Sequence, residues 1–199
     1  MEDFITFLLQ KVYNSKPIPK EIIDESLKKT ILDVNYHFPE LTEENIIHRI
    51  QSNSNELAIF LFRIGNELFK NEHMSLLPQV HWLLKELCSC EIYFNNNISE
   101  GFYVIHGEGT VIGSRNTIGK GFKIHQGCTI GHKRNNSGTN GVVLGNDITL
   151  YSHSSILGNI VIGDNVVIGG HVLVSKSVSS NKIILSKEVN SAKDLKSSL

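Results

Sequence analysis

Several things are missing from this chain, and each absence removes a class of function. No run approaches the ~20 consecutive apolar residues of a transmembrane helix, so no membrane span is expected. Nineteen Lys and Arg balance 20 Asp and Glu to a net charge of −1, so nothing points to a nucleic acid or an acidic membrane surface. The three cysteines, Cys88, Cys90 and Cys128, form no CxxC pair and no disulfide framework. The opening MEDFITFLLQK is acidic at its start and lacks a small-residue cleavage site, so it is not read as a secretory signal. A cytoplasmic protein is the expectation.

What is present is a period of six. Leu144, Leu150, Ile156, Ile162, Ile168 and Val174 follow it without a slip, with Gly145, Gly163 and Gly169 in the next slots. Ile112, Ile118, Ile124 and Ile130 keep the same period, and Ile92, Ile98 and Val104 precede them more weakly. Neither an amphipathic helix at 3.6 nor a simple strand at 2 explains this spacing. A hexapeptide β-helix does, because each six-residue unit turns one aliphatic side chain inward and one corner outward. A single coil cannot bury its own face, so coils must stack. Each aliphatic contributes about 1.5–3 kcal/mol when fully buried. Residues 92–180 leave room for roughly five coils of eighteen residues.

The first 88 residues read differently. Phe4, Ile5, Leu8, Leu9 and Val12 fall on one helical face, and Ile22, Ile23, Leu27, Ile31 and Leu32 form another stripe. Pro17 and Pro19 separate the two segments. Thr42 is placed to cap a helix whose first turn is acidic. The apolar ELAIFLFRIGNELFK follows, and then a last helix with Pro78 in its first turn. The expected fold is mixed α and β: a helical domain over 1–88, a β-helix over 89–180 and a polar tail over 181–199. A cap closing one end of the β-helix is the expected role of the helices, with His37, His48, His73 and His81 as surface or packing residues.

Two breaks in the repeat mark where function should collect, since insertions in repeat proteins gather on the binding face. The first is a two-residue slip containing Ile105, His106 and Gly107. The second lies between Ile130 and Leu144, fourteen residues rather than twelve, and its polar content reads as a loop extruded over 131–141.

These residues carry a resemblance. Phe62-Arg63-Ile64-Gly65, His106 with Gly107, Thr129-Ile130-Gly131 and Ile156-Leu157-Gly158-Asn159 resemble the bacterial serine acetyltransferases, members of the hexapeptide-repeat acyltransferases, from about residue 58 to 178. The resemblance implies a left-handed parallel β-helix, a homotrimer, acetyl-CoA as donor, and sites in clefts between subunits. It implies His106 as the base that deprotonates an acceptor hydroxyl, which suits imidazole near neutral pH. It also implies Glu91, fifteen positions earlier, as the carboxylate that orients the imidazole. Asp is the usual residue there. The positions matching the acetyl-CoA groove are Gly131, His132, Ser152 and Gly170. Lys133 and Arg134 are candidates for a CoA phosphate, with a solvated basic loop as the alternative.

The departures are equally specific. Ile105 stands where the family has Asp, Asn140-Gly141-Val142 stand where it has Arg-His-Pro, and its Asp-Pro stretch in the helical domain is absent. Those charged groups hold a zwitterion. Their loss leads to the expectation of a neutral hydroxyl acceptor, a sugar or a cell-surface polysaccharide. Free serine remains the alternative if another clamp exists, and a non-catalytic scaffold remains a third reading. The family's Gly-x-Pro-Ala segment after the last coil is also missing, so docking to a cysteine-synthase partner has no support. No metal is expected: His153 and His171 lie one coil apart, but no third histidine joins them to complete a zinc site. Cys128 has no charged neighbour in sequence to activate it and reads as packing.

Overall fold

The computed structural model describes residues 1–132 and 141–186. Five α-helices come first: α1 (Glu2–Leu9), α2 (Lys20–His37), α3 (Glu43–Ser52), α4 (Ser54–Lys70) and α5 (Leu77–Cys88). Thr42 caps α3 as expected: its hydroxyl accepts from the Asn45 amide, and the Asn45 side chain returns to the Thr42 backbone. Pro78 falls in the first turn of α5, where its missing N–H costs nothing.

Fourteen short parallel strands follow among the described residues, wound as a coil with three flat faces. The first face stacks β1 (Glu91–Ile92), β4 (Val111–Ile112), β7 (Thr129–Gly131), β10 (Ser155–Leu157) and β13 (Leu173–Val174). The second stacks β2 (Asn97–Ile98), β5 (Thr117–Ile118), β8 (Val143–Leu144) and β11 (Val161–Ile162). The third stacks β3 (Tyr103–Ile105), β6 (Lys123–His125), β9 (Thr149–Leu150), β12 (Val166–Ile168) and β14 (Lys182–Ile184). This is the left-handed parallel β-helix that the period and the resemblance together predict. Every aliphatic of the six-residue period, from Ile92 to Val174, is buried in its column.

A β-helix leaves the strand edge of its first coil unpaired, and unsatisfied carbonyls there would be costly. α4 answers that edge. Arg63 donates through Nη1 and Nη2 to the Ile98 and Ser99 carbonyls at 2.7 and 2.8 Å, and through Nε and Nη2 to buried Asp33 of α2 at 2.7 Å. Asp33 in turn accepts from the Phe102 amide at 3.1 Å. The Asn66 amide donates to the Phe94 and Asn96 carbonyls. Phe62 packs edge-on against Phe102, which stacks on Phe122, so the helical core runs into the coil without a break. The Phe-Arg-Ile-Gly motif is therefore the joint between the two halves. Its glycine is dictated by packing, since a Cβ on Gly65 would meet the Phe94 ring.

Three expectations need correction. The buried face of α2 is Ile22, Ile23, Ser26, Thr30, Asp33 and Val34, and Leu32 is 55% exposed. Asp33 sets that face through Arg63, and the Ser26 and Thr30 hydroxyls satisfy themselves on carbonyls four residues back. The second break is also larger than it looked. Ile118 pairs directly with Leu144, and β7 and β8 are successive strands, so eight residues beyond the period are inserted rather than two. Finally, β-pairing continues past residue 180, because β14 aligns with β12.

Candidate functional site

The corner between the third and first faces holds the first break. Its regular column is Gly109, Gly127, His153 and His171, each at positive φ. Their amides donate to the coil below: Gly109 to Ser89, Gly127 to Glu108, His153 to Gln126 and His171 to Ser152. His106 and Gly107 lie outside this column as the two extra residues, a bulge in one coil. His106 is exposed and itself left-handed, at φ 57°, a region where His is enriched among non-glycine residues. Gly107 is buried beneath it and pinned on both sides. Its amide donates to Asn55 Oδ1 of α4 at 3.1 Å, and its carbonyl accepts from Thr110 at 3.0 Å.

Beside the bulge lies the outer surface of the third face. Ile105 pairs with His125 and Tyr103 with Lys123. The His125 ring stacks on Tyr151 in the next coil, with centroids 4.8 Å apart. Over Tyr103 sits a charged cluster from the helices. Arg49 of α3 is bound through Nε to Glu56 Oε1 at 2.7 Å, reaches the Tyr103 hydroxyl at 3.2 Å, and lies over the Phe38 ring. Glu56 is wholly buried, and its Oε2 has no partner among the described residues. Burial pushes the His125 imidazole below its ordinary pKa, and His106 and Lys123 push it further down. His37 is lowered chiefly by burial as well.

The residues expected at the site are only partly brought together. Ser152 and Gly170 share the His106 corner and stack one coil above the other, with a Cβ on Gly170 falling 3.3 Å from the Ser152 carbonyl. The rings of His153 and His171 stack beside them at 5.0 Å. Gly131 and His132 lie on the opposite edge of the first face, where His132 Nε2 is 2.7 Å from the Ser114 carbonyl. A donor touching both pairs must therefore cross that face. Lys133, Arg134 and Asn140 lie outside the described residues. Glu91 departs from expectation. Its carboxylate lies 3.2 Å from both His81 Nε2 and Lys85 Nζ, and no hydrogen bond joins it to His106 among the described residues. The reason is its place on β1, whose outward side chain meets α5, while His106 sits at the corner.

Sequence reasoning passed over Arg49, Glu56, Tyr103 and Lys123. Register alone put Tyr103 and Lys123 on the outer surface of the third face. Nothing local in α3 or α4 told of Arg49 and Glu56. Among the described residues no three His, Cys, Asp or Glu side chains converge as a metal site would require.

No family model matches the chain. Serine acetyltransferase of Staphylococcus epidermidis is 32% identical over 105 residues, 53% of this chain and 49% of that one. The Helicobacter pylori enzyme of the same name is 28% identical over 107 residues, 54% of this chain and 63% of the other. The chain thus spans between about half and two thirds of the length of these relatives. Among solved structures, serine acetyltransferase isoform 3 of Entamoeba histolytica, in complex with cysteine, superposes with a TM-score of 0.73 at 22% identity over 87% of this chain and 61% of that one. That of Neisseria gonorrhoeae gives 0.72 at 20% identity, covering 92% and 67%. The carbohydrate acceptor expected from the missing clamp finds no support in these likenesses. In sequence over about half its length, and in fold over most of it, this chain is similar to the serine acetyltransferases.

Proposed function

We propose that this chain is an acetyl-CoA-dependent O-acetyltransferase with L-serine as acceptor. The observation that carries the reading is the likeness to serine acetyltransferases at 32% identity over 105 residues, joined to an exposed histidine on a corner bulge. In the reaction His106 takes the proton of the serine hydroxyl as the oxygen attacks the thioester carbonyl. The C–S bond then breaks, the new C–O bond remains, and the proton passes to the departing CoA sulfur. General-base catalysis of this kind is worth about 10²–10⁴-fold. Ser152 and Gly170 line the donor groove on the His106 side, and Gly131 and His132 line its far edge. Close main-chain packing at Gly170 suits a ligand that lies along the coil. A homotrimer fits the exposed Tyr151, Val161 and Leu173 on the outer faces.

The test is CoA release from acetyl-CoA, followed by thiol detection, with L-serine and with a panel of sugars and purified glycans. The expected result is serine-dependent release that disappears in His106→Ala. Release that depends on a glycan and ignores serine would overturn the acceptor. Release that survives His106→Ala would overturn the base.

A further inference from the structure

Resting on that reading, we infer that Arg49 and Lys123 form the subsite that holds the carboxylate of the acceptor, replacing the charged clamp that the sequence lacks. Position comes first. Asn55 and Glu56, consecutive residues in the first turn of α4, hold Gly107 and Tyr103 respectively. Those two contacts bracket Val104, Ile105 and His106: Arg49, bonded to Tyr103, stands at the start of β3, and His106 follows its end, three residues on. Lys123 is the register partner of Tyr103 one coil up, about 4.8 Å away in backbone spacing, and faces outward with it. Its charge adds to burial, the larger cause, in lowering both His37 and His125.

Charge comes second. Lys120, three residues before Lys123, is paired with Glu100 at 2.6 Å. Lys123 has no ion pair among the described residues. Glu56, the carboxylate bonded to Arg49, is buried and committed to it, which leaves Lys123 as the unpaired cation beside Tyr103 among the described residues. Glu108, two residues past His106, is exposed and is the acidic residue nearest the base in sequence. Preorganisation comes third. Glu56, the Tyr103 hydroxyl and the Phe38 ring fix the Arg49 guanidinium, while about a third of the side chain stays exposed. A planar donor held in this way suits an oxyanion, and binding it orders little further.

Two oxyanions are available in this reaction, the carboxylate of the acceptor and the phosphates of the donor, and the experiment separates them. Binding of L-serine, of L-serine amide and of CoA is measured by calorimetry on the wild-type chain, Lys123→Gln and Arg49→Lys. Arg49→Lys keeps a cation beside Glu56, so it guards against simple misfolding, and circular dichroism checks both variants. The expected result is L-serine binding weakened about tenfold or more in each variant, CoA binding within about twofold of wild type, and wild-type preference for serine over its amide lost. Unchanged serine binding in both folded variants would overturn the subsite. So would weakened CoA with unchanged serine, or no binding of L-serine by the wild type. Serine binding that depends on both cations without acetyl transfer would uphold the subsite and overturn the proposed reaction. Acetyl transfer to serine that ignores both substitutions would do the reverse.

Discussion

Asn55 Oδ1 accepts the Gly107 amide at 3.1 Å, so the first turn of a helix holds the corner bulge that carries His106. Asn53, the cap of that helix, holds the Asn55 amide at 2.9 Å, which makes the contact rigid from both ends. Asn55→Ala removes the only side-chain restraint recorded on the bulge among the described residues. We expect kcat to fall roughly ten- to a hundredfold, the usual cost of a misplaced catalytic group, with KM for acetyl-CoA nearly unchanged. Steady-state kinetics with the donor varied checks this.

His106 and Glu91 should behave differently on substitution. His106→Ala is expected to cost about 10²–10⁴-fold in kcat. Glu91 is engaged by Lys85, with His81 Nε2 3.2 Å away, so Glu91→Gln is expected to cost less than about tenfold in rate. A loss from Glu91→Gln that matches His106→Ala would mean that the carboxylate leaves α5 and joins the imidazole during turnover.

Breaking the joint between helices and coil should be felt throughout the molecule. Asp33→Asn leaves the Arg63 charge buried without its partner, and we expect a loss of about 3–5 kcal/mol, read as a drop in Cm in urea unfolding. Arg63→Lys should not rescue it, because one ammonium cannot reproduce the fork that serves Asp33, Ile98 and Ser99 together.

Acid should weaken the fold through His37 and His125. Burial lowers both pKa values below the ordinary 6.5, so the unfolded chain takes up protons that the folded chain refuses. The contribution of these two groups is therefore flat above about pH 7, turns destabilising as pH drops through about 6.5, and levels off below the depressed folded values. His125→Gln should flatten part of that decline. Melting temperatures at pH 7.5, 6.0 and 5.0 test it.

The fold was legible because its signal repeats: every six residues an aliphatic must enter one column, and the residues from Ile92 to Val174 report that requirement thirteen times over. The bulge at His106 was legible for the same reason, since a two-residue slip is visible against a strict period. The size of the second insertion was not, because the residues flanking it keep the repeat's chemistry and hide which strand follows which. Arg49 and Glu56 were also beyond reach. Their importance comes from Tyr103, some fifty residues away, and no periodicity links an α3 arginine to a β3 tyrosine. The expectation of a neutral acceptor rested on missing charges at the family's positions, and it took no account of Arg49 and Lys123, which lie at Tyr103 on the outer surface of the third face.

Transfer of acetyl to the hydroxyl of serine is read from its product. The chain is incubated with acetyl-CoA, L-serine and an equal concentration of a sugar panel, and the mixture is resolved by mass spectrometry. O-acetylserine and CoA are expected in equal amounts, with the sugars unmodified. Acetylated sugar with unmodified serine, or CoA released with no acetylated acceptor, would contradict transfer to serine.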